Sequence, residues 1–132
     1  MIVVDTNVMV YLLAGEGPRA DRAADLLLRD PEWAAPPILL SELRNVLAGS
    51  VRRGLVALPD ALSMQDDAAL ILGDRTAGVD GAAVLRAALD LGLSAYDAEF
   101  VVLARTLGVA LITEDREVLL AAGDVAVRLS DD

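Results

Sequence analysis

Ile2-Val3-Val4-Asp5-Thr6-Asn7-Val8 opens the chain, and the order of these residues decides the fold class. Ile2, Val3 and Val4 form a short apolar, β-branched run that reads as a buried strand. Asp5 ends it, and Asp5, Thr6 and Asn7 are residue types that cap helices, so a helix is expected from there through Leu13. A strand feeding directly into a helix is the first half of a parallel crossover unit.

Gly15 and Gly17-Pro18 break the first helix, and an amphipathic second helix is expected from about Arg19 to Arg29, with Ala23, Leu26 and Leu27 on one face. Trp33 to Ala35 reads as a brief second strand. Pro36-Pro37 then starts a third helix, Ile38 to Ala48, expected to stop at Gly49. Leu55 to Leu91 is helical and alanine-rich, with Pro59-Asp60 opening one helix and the stretch from Gly73 to Gly81 separating it from the next. A helix from about Ala95 to Leu107 ends at Gly108, Val109 to Thr113 is an apolar strand, Asp115 to Leu120 a short helix, and Val125 to Leu129 a last strand. Strands alternating with helices imply an α/β fold, a parallel sheet covered on both faces. Sites in such sheets lie beyond the carboxyl ends of the strands.

With 132 residues the chain has the size of one domain, expected to span 1–132. Although 55% of the residues are hydrophobic, no run approaches the roughly eighteen apolar residues of a membrane span, and no basic segment precedes the first apolar stretch. The expectation is a cytoplasmic protein without membrane contact. Cysteine and histidine are absent, which excludes disulfides, thiolate nucleophiles, imidazole relays and zinc sites built on sulfur or imidazole. All 11 basic residues are arginine. The net charge of -10 argues against a protein that coats phosphates with positive charge, unless bound divalent ions reverse the local field.

Chemistry must therefore run on carboxylates, hydroxyls and arginine, and four acids stand out by position. Asp5 and Asp115 each follow a strand and open a helix, where capping alone accounts for either. Asp97 lies three residues after Ser94, the spacing of a capping box, yet Phe100, Val101 and Ala104 continue its stripe toward the core. Glu42 sits inside a helix, beyond the reach of capping, with Leu39 and Val46 on its apolar border; a salt bridge to an arginine at the core edge is its structural alternative. Gathered in one pocket without a cation, two such carboxylates about 4 Å apart would repel by roughly 4 kcal/mol at an effective dielectric of about 20. Magnesium or manganese, which favour oxygen ligands, would remove that penalty.

The set resembles a PIN domain, and within that superfamily the VapC-type toxin ribonucleases of toxin–antitoxin pairs. The resemblance spans the chain and rests on Ile2-Val3-Val4-Asp5-Thr6-Asn7-Val8, Ser41-Glu42-Leu43, Ser94-Ala95-Tyr96-Asp97-Ala98 and Thr113-Glu114-Asp115-Arg116, in this order and at these separations. It implies a three-layer, Rossmann-like α/β/α fold with a central, mainly parallel sheet, and an acidic pocket of Asp5, Glu42, Asp97 and Asp115 holding one or two Mg2+ or Mn2+ ions. It further implies that Thr6, Asn7 and Thr113 orient metal waters or the scissile phosphate. Hydrolysis of RNA by an activated water, leaving a 5′ phosphate and a 3′ hydroxyl, a homodimer and a cognate antitoxin are implied by the same likeness. Arg52 and Arg53 are candidates for guiding an RNA backbone, although an exposed arginine pair is more often a solvated face.

Two other classes compete. Aspartate-dependent phosphotransferases also begin with a strand ending in Asp, but they hold the phosphoryl group with a lysine that this chain lacks, and the phosphatase pattern wants a second Asp where Asn7 stands. No Gly-rich loop ending in Gly-Lys-Ser/Thr is present. A PIN-like module that only binds RNA or protein, and a DNA-directed nuclease of the same fold, are the remaining alternatives.

Overall fold

A computed structural model describes residues 1–129; the last three positions of the expected 1–132 domain lie outside the described residues. The element order is β1 (Ile2–Val4), α1 (Thr6–Ala14), α2 (Pro18–Arg29), β2 (Trp33–Ala34), α3 (Ile38–Arg52), α4 (Leu58–Leu72), α5 (Gly81–Leu91), α6 (Ala95–Leu107), β3 (Leu111–Thr113), α7 (Arg116–Ala121) and β4 (Ala126–Arg128). The four strands form one parallel sheet in the order β2-β1-β3-β4. This is the α/β architecture that the alternating pattern implies.

The centre of the sheet is buried on both faces. Successive residues of a strand point to opposite sides, and Val3, Val4, Leu111, Ile112 and Thr113 are all inside, so helices cover both surfaces. Trp33, Met9, Leu39, Leu43 and Leu103 fill the space between sheet and helices. Helices α1 and α2, α3 and α4, and α5 and α6 pack as neighbouring pairs. The last strand is the exception, an edge whose residues are half-buried or exposed. No helix among the described residues is long and apolar enough to cross a membrane.

One helix boundary differs from expectation. Helix α3 runs through Gly49 to Arg52, because a glycine inside a helix costs only about 1 kcal/mol against alanine and does not by itself end one. The end comes at Gly54, whose φ of 72° supplies the left-handed turn that a side chain would resist. There the Gly54 N–H donates to Val51 O and the Leu55 N–H to Ser50 O, closing the last carbonyls of the helix. The first sheet positions also shift slightly: β3 begins at Leu111, and Ala35 leaves β2 to make an isolated parallel bridge with Thr76.

The β1–β3 pair fixes where a site can form. Val4 lies beside Ile112 in register, and the chain leaves β1 toward β2 on one side and β3 toward β4 on the other. The crevice beyond the carboxyl ends of β1 and β3 is therefore the point at which the strand order reverses, the usual location of a ligand site in an open parallel sheet.

Candidate acidic site

Asp5 is the residue that β1 delivers into this crevice. It caps α1, accepting from the Val8 N–H at 3.0 Å through Oδ1, while its Oδ2 accepts from the Thr113 hydroxyl. Thr113 is fully buried at the end of β3, and its Oγ1 also accepts from the Asp115 N–H at 3.0 Å. One hydroxyl thus locks the loop after β3 to the carboxylate after β1. Asp115 in turn caps α7, its Oδ1 accepting from Glu117 N at 2.9 Å and Val118 N at 3.2 Å.

The other two acids arrive on helices. Glu42 belongs to α3 and accepts from the Thr6 hydroxyl at 2.6 Å, a partner 36 positions away, so the expected alternative of an arginine bridge is replaced by a hydroxyl at the head of α1. Asp97 stands in the first turn of α6, where its own N–H donates to the capping Ser94 Oγ at 3.0 Å. Together with Thr6, Asn7 and Thr113, the four carboxylates line one cleft of about 380 Å³. All seven residues expected at the acidic pocket are brought together there, whereas the two candidate arginines are not.

Capping and clustering are therefore compatible. Asp5 and Asp115 do what helix caps do, yet both face the same cleft as Glu42 and Asp97. The charges act on one another: Asp5 is pushed up to about 6, chiefly by burial and further by Asp115 and Asp97, against the opposing hydrogen bonds from Thr113 and Val8. Asp97 is also raised, first by burial and then by Asp115, with Ser94 opposing and Glu42 and Glu117 adding to it. No arginine is among the described residues that line the cleft. Among the described residues no three acids are already drawn into a geometry that would ligate one ion directly.

Sequence reasoning gave no role to Ser41, Asn45 and Tyr96, which also line the cleft. Ser41 and Asn45 share a face of α3 with Glu42, a relation legible from helical spacing once Glu42 is placed. Arg52 and Arg53 lie elsewhere. They stand ten and eleven positions beyond Glu42, about 15 Å along the helix axis at about 1.5 Å per residue, and Arg52 lines a separate apolar groove between α3 and α4.

No curated protein matches the chain by sequence. Solved structures share its fold. PAE2754 from Pyrobaculum aerophilum superposes with a TM-score of 0.77 at 23% identity, over 98% of this chain and 83% of that one. A toxin–antitoxin complex from Klebsiella pneumoniae gives 0.70 at 17% identity, covering 98% of each chain. FitAB bound to an IR36 DNA fragment gives 0.74 at 17% identity, over 98% of this chain and 95% of that one. At these identities the likeness concerns the fold. The PIN domain family model matches residues 2–124, from the first strand to the turn before the last, and the chain belongs to the PIN domain family.

Proposed function

We propose that this chain is a Mg2+- or Mn2+-dependent endoribonuclease, the toxin of a cytoplasmic toxin–antitoxin pair, acting as one PIN domain over 1–132. PIN domains are generally metal-dependent nucleases. The observation that carries the reading is the cleft itself: carboxylates from four different parts of the fold meet in a space with no cationic side chain among its described lining residues. The donor set fits a hard divalent ion, since it is all oxygen and Asp5, lifted to about 6 chiefly by burial, is raised further by the neighbouring Asp115 and Asp97. Magnesium keeps several of its waters and takes only one or two carboxylates directly, so the four acids do not need to touch one ion at once.

Asp5, Glu42, Asp97 and Asp115 would hold the ion or ions. When bound, such an ion lowers the pKa of the attacking water and offsets the charge that develops at the phosphorus. The remaining residues position these acids and the strand. Thr6 fixes one oxygen of Glu42. Thr113 fixes one oxygen of Asp5 and holds the backbone at Asp115. Asn7 offers an amide donor at the cleft wall for a phosphate oxygen. A cognate antitoxin and a homodimer complete the reading, the former supported by the toxin–antitoxin complex among the structural neighbours.

Purified protein is incubated with single-stranded and structured RNA and with single-stranded DNA, in Mn2+, in EDTA, and as Asp97→Asn. Cleavage of single-stranded RNA by the metal-bound wild type is expected, with a loss of about 100-fold or more in Asp97→Asn. Equal cleavage in metal, EDTA and the variant overturns the reading. Cleavage of DNA alone moves it to a DNA-directed nuclease, and metal-dependent binding without any cleavage moves it to a binding module.

A further inference from the structure

The side chains described as lining the cleft bring no positive charge to grip a polyanion. Its lining has carboxylates but no arginine, the chain has no lysine, and the net charge is -10. Arg44 reaches the edge of the cleft only through Ser41, donating to its Oγ at 3.3 Å, so phosphate contacts from basic side chains, which dominate the affinity of most nucleic-acid binders, are scarce at the place where a strand must lie. A bound divalent ion would supply charge at one phosphate, and the rest of the strand needs another hold. The other general source of affinity for a single strand is stacking of bases on aromatic rings, which works with any base because every base has a π-face.

The chain has four aromatic residues, and their placement differs sharply. Trp33 is 0% exposed and Phe100 4%, both inside the core. The Tyr11 ring is half-buried and covered by Arg19, whose guanidinium carbon lies 5.4 Å from the ring centroid. Tyr96 is 63% exposed, and it lines the acidic cleft immediately before Asp97. Burial of so large an apolar ring is favourable, so leaving it open at the edge of a charged cleft forgoes stability that packing would provide. The same face of α6 continues one turn on into Phe100, and the α3 wall of the cleft carries Ser41 and Asn45, neutral groups able to hydrogen-bond to a base edge.

We infer that Tyr96 is the platform on which an unpaired nucleobase stacks, holding the adjacent phosphate of a single-stranded RNA over the carboxylates. The assignment rests on the nuclease reading above and deepens it, because a paired base keeps its faces inside the duplex and cannot use the ring. Single-strand preference is then a property of this one side chain together with the lack of arginine in the described cleft lining. Tyr96 binds the substrate; the carboxylates perform the chemistry.

The experiment measures anisotropy of a short fluorescein-labelled oligoribonucleotide with Mn2+, in an Asp115→Asn background that holds cleavage off and keeps a capping side chain at that position. Three strands are compared: single-stranded, the same strand as a duplex, and the same strand with abasic sites. Tyr96→Leu is expected to weaken binding of the single strand about ten-fold while leaving duplex and abasic binding unchanged. Tyr96→Phe keeps the ring and is expected to bind like its parent. All three proteins should melt together, since the ring is exposed. Unchanged single-strand binding by Tyr96→Leu overturns the assignment and marks the ring as a surface for protein contact; an equal loss on all three strands overturns it too, pointing to a backbone contact. If the parent binds no RNA and the wild type cleaves none, the nuclease reading falls as well; if the parent binds and the wild type cleaves while Tyr96→Leu binds normally, the stacking role alone falls.

Discussion

Two carboxylates at opposite ends of the sheet are treated in opposite ways by the same fold. At the amino ends of β3 and β4, Asp124 takes a two-pronged bridge from Arg105, Nε to Oδ2 at 2.8 Å and Nη2 to Oδ1 at 3.0 Å, and the guanidinium holds its carboxyl below the ordinary range. Beyond the carboxyl ends, Asp5 accepts from the Thr113 hydroxyl and the Val8 N–H, with Asp115 and Asp97 nearby, and burial lifts it to about 6. The chain thus has arginine available and uses it on a surface acid while leaving the cleft unbalanced. A fold optimised for stability alone would do the reverse, because a neighbouring cation stabilises a buried carboxylate far more than an exposed one. The imbalance reads as capacity for a cation from solution.

The largest effect expected from this contrast lies in the pH dependence of stability without metal. Below the ordinary value of 3.8, Asp5 is protonated in both folded and unfolded chains and nothing is lost. Between there and about 6 the unfolded chain gives up its proton while the folded chain keeps it, so the folded state loses stability as pH rises. Above about 6 the loss is complete, and a shift of about two units at about 1.4 kcal/mol each puts it near 3 kcal/mol. The raised Asp97 adds to it with the same sign. Denaturant unfolding in EDTA from about pH 4 to about pH 7 measures this, and Asp5→Asn, which keeps the cap of α1, should remove the Asp5 part. Mn2+ at about 100 times its Kd should return about 2.7 kcal/mol to the wild type and little to the variant. A wild type and variant that respond alike to pH and to metal would mean that the cleft is no more a metal site than the Asp124 surface.

How much of this was open to sequence reading follows from which interactions are local. Asp5, Asp115 and the strands before them are legible because a buried apolar run and a cap lie within a few residues, and the α/β class follows from their repetition. Glu42 was conspicuous only as an acid that capping does not explain; its partner Thr6 lies 36 positions away, and nothing in the spacing names it. The α3 boundary was misplaced because Gly49 and Gly54 are the same letter, and only the backbone distinguishes a helical glycine from the one with φ 72°. Thr113 entered through family resemblance, but its double role depends on the register that sets β3 beside β1. Tyr96 was missed for the opposite reason, since its exposure depends on what fails to pack over it.

A smaller effect sharpens the comparison at Thr113 itself. Replacing it with valine preserves shape but removes the hydroxyl, leaving the Asp115 N–H without its acceptor and Asp5 without its principal opposing hydrogen bond. Loss of about 1–2 kcal/mol near neutral pH in EDTA is expected, with the Asp5 transition moved to higher pH. Thr113→Ser keeps the hydroxyl and should restore the transition even if packing is slightly loosened. If valine leaves both the stability and the transition where they were, the hydroxyl is not what ties the two strand ends together.

The smallest effect belongs to the balanced end. Arg105 and Asp124 are 39% and 52% exposed in their side chains, so solvent screens the pair despite its two-pronged geometry, and Arg105→Gln should cost under about 1 kcal/mol. Its pH dependence has the opposite sign to that of Asp5. A carboxyl held below its ordinary value contributes stability above that value and loses it as pH falls through the folded value, so the cost of Arg105→Gln should be visible near neutral pH and fade on acidification. High salt should shrink it as well, whereas the buried Asp5 transition should persist. A penalty for Arg105→Gln that grows with acid, or one as large as the Asp5 step, would mean that the two ends of the sheet are not balanced and unbalanced in the sense their hydrogen bonds indicate.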